Sequence, residues 1–279
     1  LTWSLGKLNR RRTDKELAKN LLLAIDVGNS HTVFGVWNHN RLVATARFST
    51  HEKNTSYEWF SVVLPWLRYN NIEEKDILYA VFASVVPGLS PVIRQMLDMM
   101  KISGIHEITW ESPLPFTFDY EDKKNLGADR IANAAGGIQY YGDSMIIADF
   151  GTAITFCLIL ERRYTGGLIT PGIMTATDSL FKRTAKLPAI TFAKKDHILG
   201  KNTVDSIEKG VYFGFRGLVG EIVHSLKNHA RSLGFKDIQA IATGGISDSL
   251  GFEHDFFDII DVNLTLKGAK AVYEIISER

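Results

Sequence analysis

Cysteine is nearly missing from this chain: Cys157 is the only one. An internal disulfide and a cysteine-based zinc site are therefore excluded. Cys157 lies in an apolar run and reads as a buried small residue. The eight histidines fall into no HExxH or comparable ligand spacing. No apolar run approaches a membrane span, and Leu21–Ile25 is too short for a signal-peptide core, with no small-residue cleavage site after it. Net charge is only +1, so no basic excess speaks for nucleic acid. These absences lead to the expectation of a soluble, cytoplasmic globular protein that engages neither membrane nor nucleic acid.

What charge there is lies unevenly. Residues 1–20 carry Lys7, Arg10, Arg11, Arg12, Lys15 and Lys19 against Asp14 and Glu16, leaving the rest of the chain mildly acidic. This stretch has no clear apolar period and reads as a disordered basic extension. The other 259 of the 279 residues suffice for two domains, divided here as 21–142 and 143–279.

Leu21–Trp37 reads as strand, tight turn and returning strand, with Asp26 closing the first strand. Arg41–Thr50 alternates as a third strand. Helical spacing follows over Ser56–Asn70, where Pro65 is expected to kink or end the helix. Ile77–Val86 is a buried strand, Pro91–Met100 a helix and Ile105–Trp110 another strand. Glu111–Asn125 reads as a loop. Leu126–Tyr140 suits a helix with a small face (Ala132, Ala134, Ala135, Gly136, Gly137) made for close packing. The plan then repeats: strands at Met145–Asp149, Ile154–Leu160 and Arg163–Ile169, a helix over Met174–Thr184, and a long helix over Thr203–Leu233. Strands at Ile238–Ala242 and near Phe256–Val262 precede a last helix at Thr265–Ser277.

The repetition is visible in the residues themselves. AIDVGNSHTVFGVW (24–37) and IADFGTAITFCLIL (147–160) align without gaps at Asp26/Asp149, Gly28/Gly151 and Thr32/Thr155. An Asp before Gly at a strand end also serves as a simple turn-former. Its recurrence favours two carboxylates that hold a cation bridging phosphate oxygens. Gly28 and Gly151 would let backbone approach those oxygens, and Asn29, Ser30, Thr32 and Thr152 add hydrogen-bonding groups. In Gly127-Ala128-Asp129-Arg130, Asp129 suits the helix dipole by itself. The sharper reading makes Asp129 a proton acceptor and Arg130 the partner of an anionic substrate or an oxyanion.

Taken together, DVGNS (26–30), GADR (127–130), DFGT (149–152), GGLITPG (166–172), TAKLP (184–188), NTVDSIEKG (202–210) and ATGG (242–245) resemble the type III pantothenate kinases. The resemblance runs from about residue 21 to the C-terminal end. It implies an α/β, duplicated RNase H-like (actin-like ATPase) fold with two domains around a nucleotide cleft. It also implies ATP-dependent phosphorylation of pantothenate to 4′-phosphopantothenate by a homodimer that uses Mg²⁺ and a monovalent cation, K⁺ or NH₄⁺. By position, Asp26, Val27, Gly28, Asn29, Ser30, His31, Thr32 and Val33 would bind nucleotide together with Thr152. Asp129 would be the catalytic base. Tyr120, Gly127, Ala128, Asp129, Arg130 and Thr203 would bind pantothenate. Asp149 would hold the monovalent cation, and Asp26 is the candidate for Mg²⁺.

Some positions depart from the family pattern. Ile154 stands where Thr is usual, Cys157 where Asp is frequent, and Glu208-Lys209 where Gln-Ser is commoner. Rival readings are a degenerate nucleotide-binding homologue, another small-molecule kinase of the superfamily, and an actin- or chaperone-like switch.

Overall fold

The computed structural model describes residues 20–183, 193–245, 251 and 253–278. The basic extension up to Lys19, the TAKLP segment and the expected helix end at Thr184 lie outside the described residues. The chain divides into two compact units. Of the described residues, one unit holds those up to Pro113, Gly127–Asp129 and those from Ala269 onward; the other holds Leu114–Leu126 and the described part of Arg130–Gly268.

The first unit is built on strands β1 (Leu21–Val27), β2 (His31–Asn38), β3 (Arg41–Ser49), β4 (Ile77–Ser84) and β5 (Gly104–Glu107), in sheet order β3-β2-β1-β4-β5. β2 runs antiparallel to β1 and β3, while β4 is parallel to β1 and β5. Strand period two sends Leu21, Leu23, Ile25 and Val27 to one face, where they meet helices α1 (Ser56–Tyr69) and α2 (Ser90–Met99). Asp26, odd in that alternation, points to the other face. α1 starts at a capping box in which the Thr55 side chain and Glu58 satisfy one another's backbone N–H groups. It does not end at Pro65 but continues to Tyr69, with Trp59, Val63 and Leu67 burying one stripe along it.

The second unit repeats the order. Strands β7 (Met145–Phe150), β8 (Ala153–Leu160), β9 (Arg163–Pro171), β10 (Gln239–Gly244) and β11 (Ile259–Ile260) lie as β11-β10-β7-β8-β9. Their parallel and antiparallel pairings match those of the first sheet. The supposed loop Glu111–Asn125 contributes one further strand, β6 (Thr117–Phe118), parallel to β9. The strand expected near Phe256–Val262 shrinks to β11, preceded by a short helix at Glu253–Phe256. Ile146, Ala148, Phe150, Phe156 and Leu158 pack under the long helix Thr203–Ser232.

The other face of β7 meets helix α3 (Ala128–Tyr141). A Cβ at Gly137 would stand 2.5 Å from Met145 Sδ and 2.9 Å from Ile147 Cδ1. A Cβ at Gly136 would stand 2.7 Å from the Leu264 carbonyl, and one at Gly268 only 1.8 Å from the Ala132 carbonyl. The small face read in the sequence thus lets α3 lie directly on β7 and cross the start of helix α4 (Leu264–Ser277) backbone against backbone.

Candidate active site

Asp26 and Asp149 occupy the same place in their sheets. Asp26 pairs with Val33 on the antiparallel side and Ala83 on the parallel side. Asp149 pairs with Thr155 and Thr243. Two backbone features recur as well. Gly28 N donates to the His31 carbonyl and Gly151 N to the Ala153 carbonyl, both at 3.0 Å. Thr50 N donates to the Ser30 carbonyl at 2.9 Å, and Gly172 N to the Thr152 carbonyl at 3.0 Å.

The gapless alignment of the repeats needs correction past the turn. Val27 pairs with Thr32, but Phe150 already pairs with Ile154, so the second turn is one residue shorter. Thr32 therefore corresponds to Ile154 rather than to Thr155. Both are buried: Thr32 Oγ1 shares a 2.8 Å hydrogen bond with Thr50 Oγ1, and Ile154 packs in its unit's core. Ile154 is a core substitution, and the Thr32 hydroxyl is committed to supporting the turn. Asn29, Ser30 and His31 are exposed along it. Partial burial, then the nearby Arg47 guanidinium, lower the His31 pKa, which keeps the ring neutral at pH 7.

In the first unit Gly127 precedes α3, and an added Cβ would stand 2.5 Å from Asp129 Oδ1. Glycine is needed there for the Asp129 carboxylate to keep its place in the first helical turn. Ala128 is buried beside it.

The second unit gathers Tyr120, Arg130, Cys157 and Tyr164. Arg130 Nε donates to Cys157 Sγ at 3.4 Å and Tyr164 Oη donates to the same sulfur at 3.2 Å. The Arg130 guanidinium lies 5.7 Å from the Tyr164 ring centroid, and the Tyr120 ring stands edge-on to Tyr164 at 5.6 Å. Gly167, the β9 partner of Cys157, makes room: a Cβ there would come 3.0 Å from Arg130 Nη2 and 1.8 Å from the Phe156 carbonyl. Burial works against the charge of Arg130, yet Cys157 and Tyr164 outweigh it, so its pKa is raised. Burial, foremost, raises that of the Tyr164 phenol too. Cys157 is buried, as expected, but it serves as an acceptor for two donors rather than as apolar filling.

Asp149 is held by residues the sequence reading missed. Asn133 Nδ2 donates to Asp149 Oδ2 at 2.7 Å, and Thr265 Oγ1 donates to Asn133 Oδ1 at 2.8 Å. Asn133 lies one turn beyond Asp129 on α3, a spacing that could have marked it. Gly244 closes β10 at φ +96°, where a Cβ would stand 2.6 Å from Asp149 Oδ1. Beside Asp149 on the same face of the sheet, the Thr243 hydroxyl is buried and, among the described residues, lacks a hydrogen-bond partner. Gly172 leaves space against the Gly151 and Thr152 carbonyls, which a Cβ would approach at 2.4 and 2.5 Å. A carboxylate with an orphaned hydroxyl beside it in the ladder offers oxygen donors of the kind that suit a hard cation. Among the described residues no three His, Cys, Asp or Glu side chains converge on a metal position.

Thr203 is exposed at the first position of its helix, whose N-cap, Asn202, accepts from Asp205 N at 2.9 Å. The departures Glu208 and Lys209 have structural work there: Glu208 pairs with Lys195, and Lys209 Nζ reaches Asp205 at 3.0 Å and the Leu199 carbonyl at 2.7 Å. No helix among the described residues is long and apolar enough to cross a membrane.

Two sheets of one strand order, each opened by an acid-bearing β-turn-β, define a duplicated actin-like α/β fold. Solved structures agree. A protein described as a Baf family transcriptional activator from Campylobacter jejuni superposes with a TM-score of 0.57 at 18% identity, covering 92% of this chain and all of that one. A ROK family glucokinase from Streptomyces griseus gives 0.50 at 14% identity, over 90% of this chain and 98% of its own. The sequence is more specific. Residues 22–225 match the family model of the type III pantothenate kinases. The type III pantothenate kinase of Halalkalibacterium halodurans is 37% identical over 91% of this chain and 99% of its own. That of Geobacillus kaustophilus is 37% identical over 93% and 99%. The chain belongs to the type III pantothenate kinase family.

Proposed function

We propose that this chain transfers the γ-phosphoryl group of ATP to the primary hydroxyl of pantothenate, giving 4′-phosphopantothenate and ADP, the opening step of coenzyme A synthesis. The observation that carries this reading is that the family match spans Asp26, Asp129 and Asp149 together. Asp129 orients the hydroxyl and takes its proton. An alcohol is far too weak an acid for a carboxylate to strip beforehand, so the proton moves late, as the new P–O bond forms and the bond to ADP breaks. Positioning and charge neutralisation then supply most of the rate.

Asp26 to Val33 and Thr152 bind nucleotide, mainly through backbone groups of the two turns. Arg130 meets the pantothenate carboxylate, with Tyr120, Gly127, Ala128 and Thr203 completing that site. Asp26 would hold Mg²⁺ and Asp149 a monovalent cation, K⁺ or NH₄⁺; when bound, these ions neutralise phosphate charge. The working form is a homodimer, as the family resemblance implies, in the cytoplasm. The rival reading of a degenerate homologue leaned on Ile154, and with that side chain in the core no observation favours it.

The test is ATP consumption with and without pantothenate, in K⁺ and in Na⁺. Turnover should require pantothenate and K⁺; none with both present would overturn the reading. Asp129→Asn should lower kcat by about 10² to 10⁴-fold, the usual contribution of a general base, with an unchanged circular dichroism spectrum. Near wild-type turnover would remove Asp129 from the role of base.

A further inference from the structure

We infer that Asn133, itself fixed by Thr265, is a positioning residue that sets the Asp149 carboxylate for cation binding; this rests on the reading of Asp149 as a cation ligand. Asn133 is 1% exposed, and both ends of its amide are spoken for. A carboxylate in its ionised form only accepts, so the amide must present its NH₂ to Asp149 and its carbonyl to the Thr265 hydroxyl. The chain of donors therefore runs one way, from Thr265 through Asn133 to Asp149 Oδ2. Its last link, at 2.7 Å, is a charge-assisted bond of the stronger kind. With Oδ2 committed, rotation of the carboxylate is restrained, and Oδ1 stays over Gly244 at the end of β10.

The supports of this chain are rigid. Gly137 seats α3 on Met145 and Ile147, which brings Asn133, one helical turn earlier, over Asp149, two strand residues later. The Gly136–Gly268 crossing fixes the start of α4, and with it Thr265, against the same helix. A buried Asn that merely fills the core would need any two partners. Here both helices are brought to backbone contact at the place where the amide bridges a hydroxyl to a strand-end carboxylate.

Thr265→Val keeps the shape of the side chain and removes the hydroxyl. Outer-shell partners of metal ligands commonly affect metal affinity by about 10 to 100-fold. Thr265→Val should accordingly raise the half-saturating K⁺ concentration for turnover by about 10-fold, with kcat at saturating K⁺ within about twofold of wild type. Thr265→Ser, which restores the donor, should recover the wild-type value. A second readout avoids turnover: the melting-temperature rise produced by KCl against tetramethylammonium chloride, with a non-hydrolysable ATP analogue present and pantothenate absent. Its midpoint in K⁺ should shift by the same factor. Should Thr265→Val fail to fold, Asn133→Ala is measured in the same way. Wild-type K⁺ midpoints in these variants, with Asp149→Asn having lost its K⁺ response, would overturn the inference alone. A full K⁺ response in Asp149→Asn would instead overturn the assignment of Asp149, and the inference with it.

Discussion

Cys157 shows how much one side chain can depend on what donates to it. Read from sequence it is a small buried residue, and its burial agrees. Yet Arg130 Nε and Tyr164 Oη both donate to its sulfur, and Gly167 across the ladder leaves room for the guanidinium. Removing the acceptor strands two buried donors, one of them charged, and an unsatisfied buried group costs about 1–3 kcal/mol. Cys157→Ala should therefore lower the unfolding free energy in urea by about that amount. Arg130 also loses a fixed partner, so KM for pantothenate should rise while KM for ATP holds. Cys157→Ser, which retains an acceptor, should fall between. A Cys157→Ala protein as stable as wild type would mean that the two donors find other partners at no cost.

At the scale of elements, glycine decides how closely helices approach. In α4, Gly268 faces the Ala132 carbonyl at a distance that leaves no room for a methyl group. Overpacking a close contact typically costs about 1–3 kcal/mol, and more where the obstacle is backbone. Gly268→Ala should destabilise by at least that much in chemical denaturation. Gly217, within Thr203–Ser232, has nothing among the described residues within 4 Å of its Cβ position, and there alanine should stabilise by about 0.5–1 kcal/mol through helix propensity. Equal effects at the two sites would refute the packing argument.

The same scale shows what could be read without coordinates. The small face of α3 was legible because Ala132, Ala134, Ala135, Gly136 and Gly137 crowd into one helix. The twin acids were legible because strand, Asp, Gly and returning strand recur. Which residue opposes which was not. Identity at Thr32 and Thr155 favoured a gapless repeat, whereas the ladder shortens the second turn by one residue. Asn133 and Thr265 stand 132 positions apart, and only the helix crossing brings them to bonding distance. Local patterns announce elements; register and long-range polar partners emerge from packing.

For the molecule as a whole, the two units carry separate apolar cores, and ligands are read through the stability of the entire chain. Whatever binds only the folded state raises its unfolding free energy by RT ln(1 + [L]/Kd), about 2.7 kcal/mol at a hundredfold excess over Kd. For a chain of this size each kcal/mol moves Tm by about 2–4 °C. ATP at that excess, with Mg²⁺ and K⁺, should thus raise Tm by about 5–10 °C. Replacing K⁺ by Na⁺ should reduce the rise, because the cation proposed at Asp149 would contribute to nucleotide affinity. Asp149→Asn should show the smaller rise in either salt. These outcomes also separate the competing readings. A degenerate homologue would show the ATP-dependent rise without pantothenate-dependent turnover, whereas the kinase requires both. The same rise in K⁺, Na⁺ and Asp149→Asn would leave nucleotide binding in place and remove the cation from it. No rise in any salt would mean that the paired turns do not bind ATP, and the proposed phosphoryl transfer would fall with them.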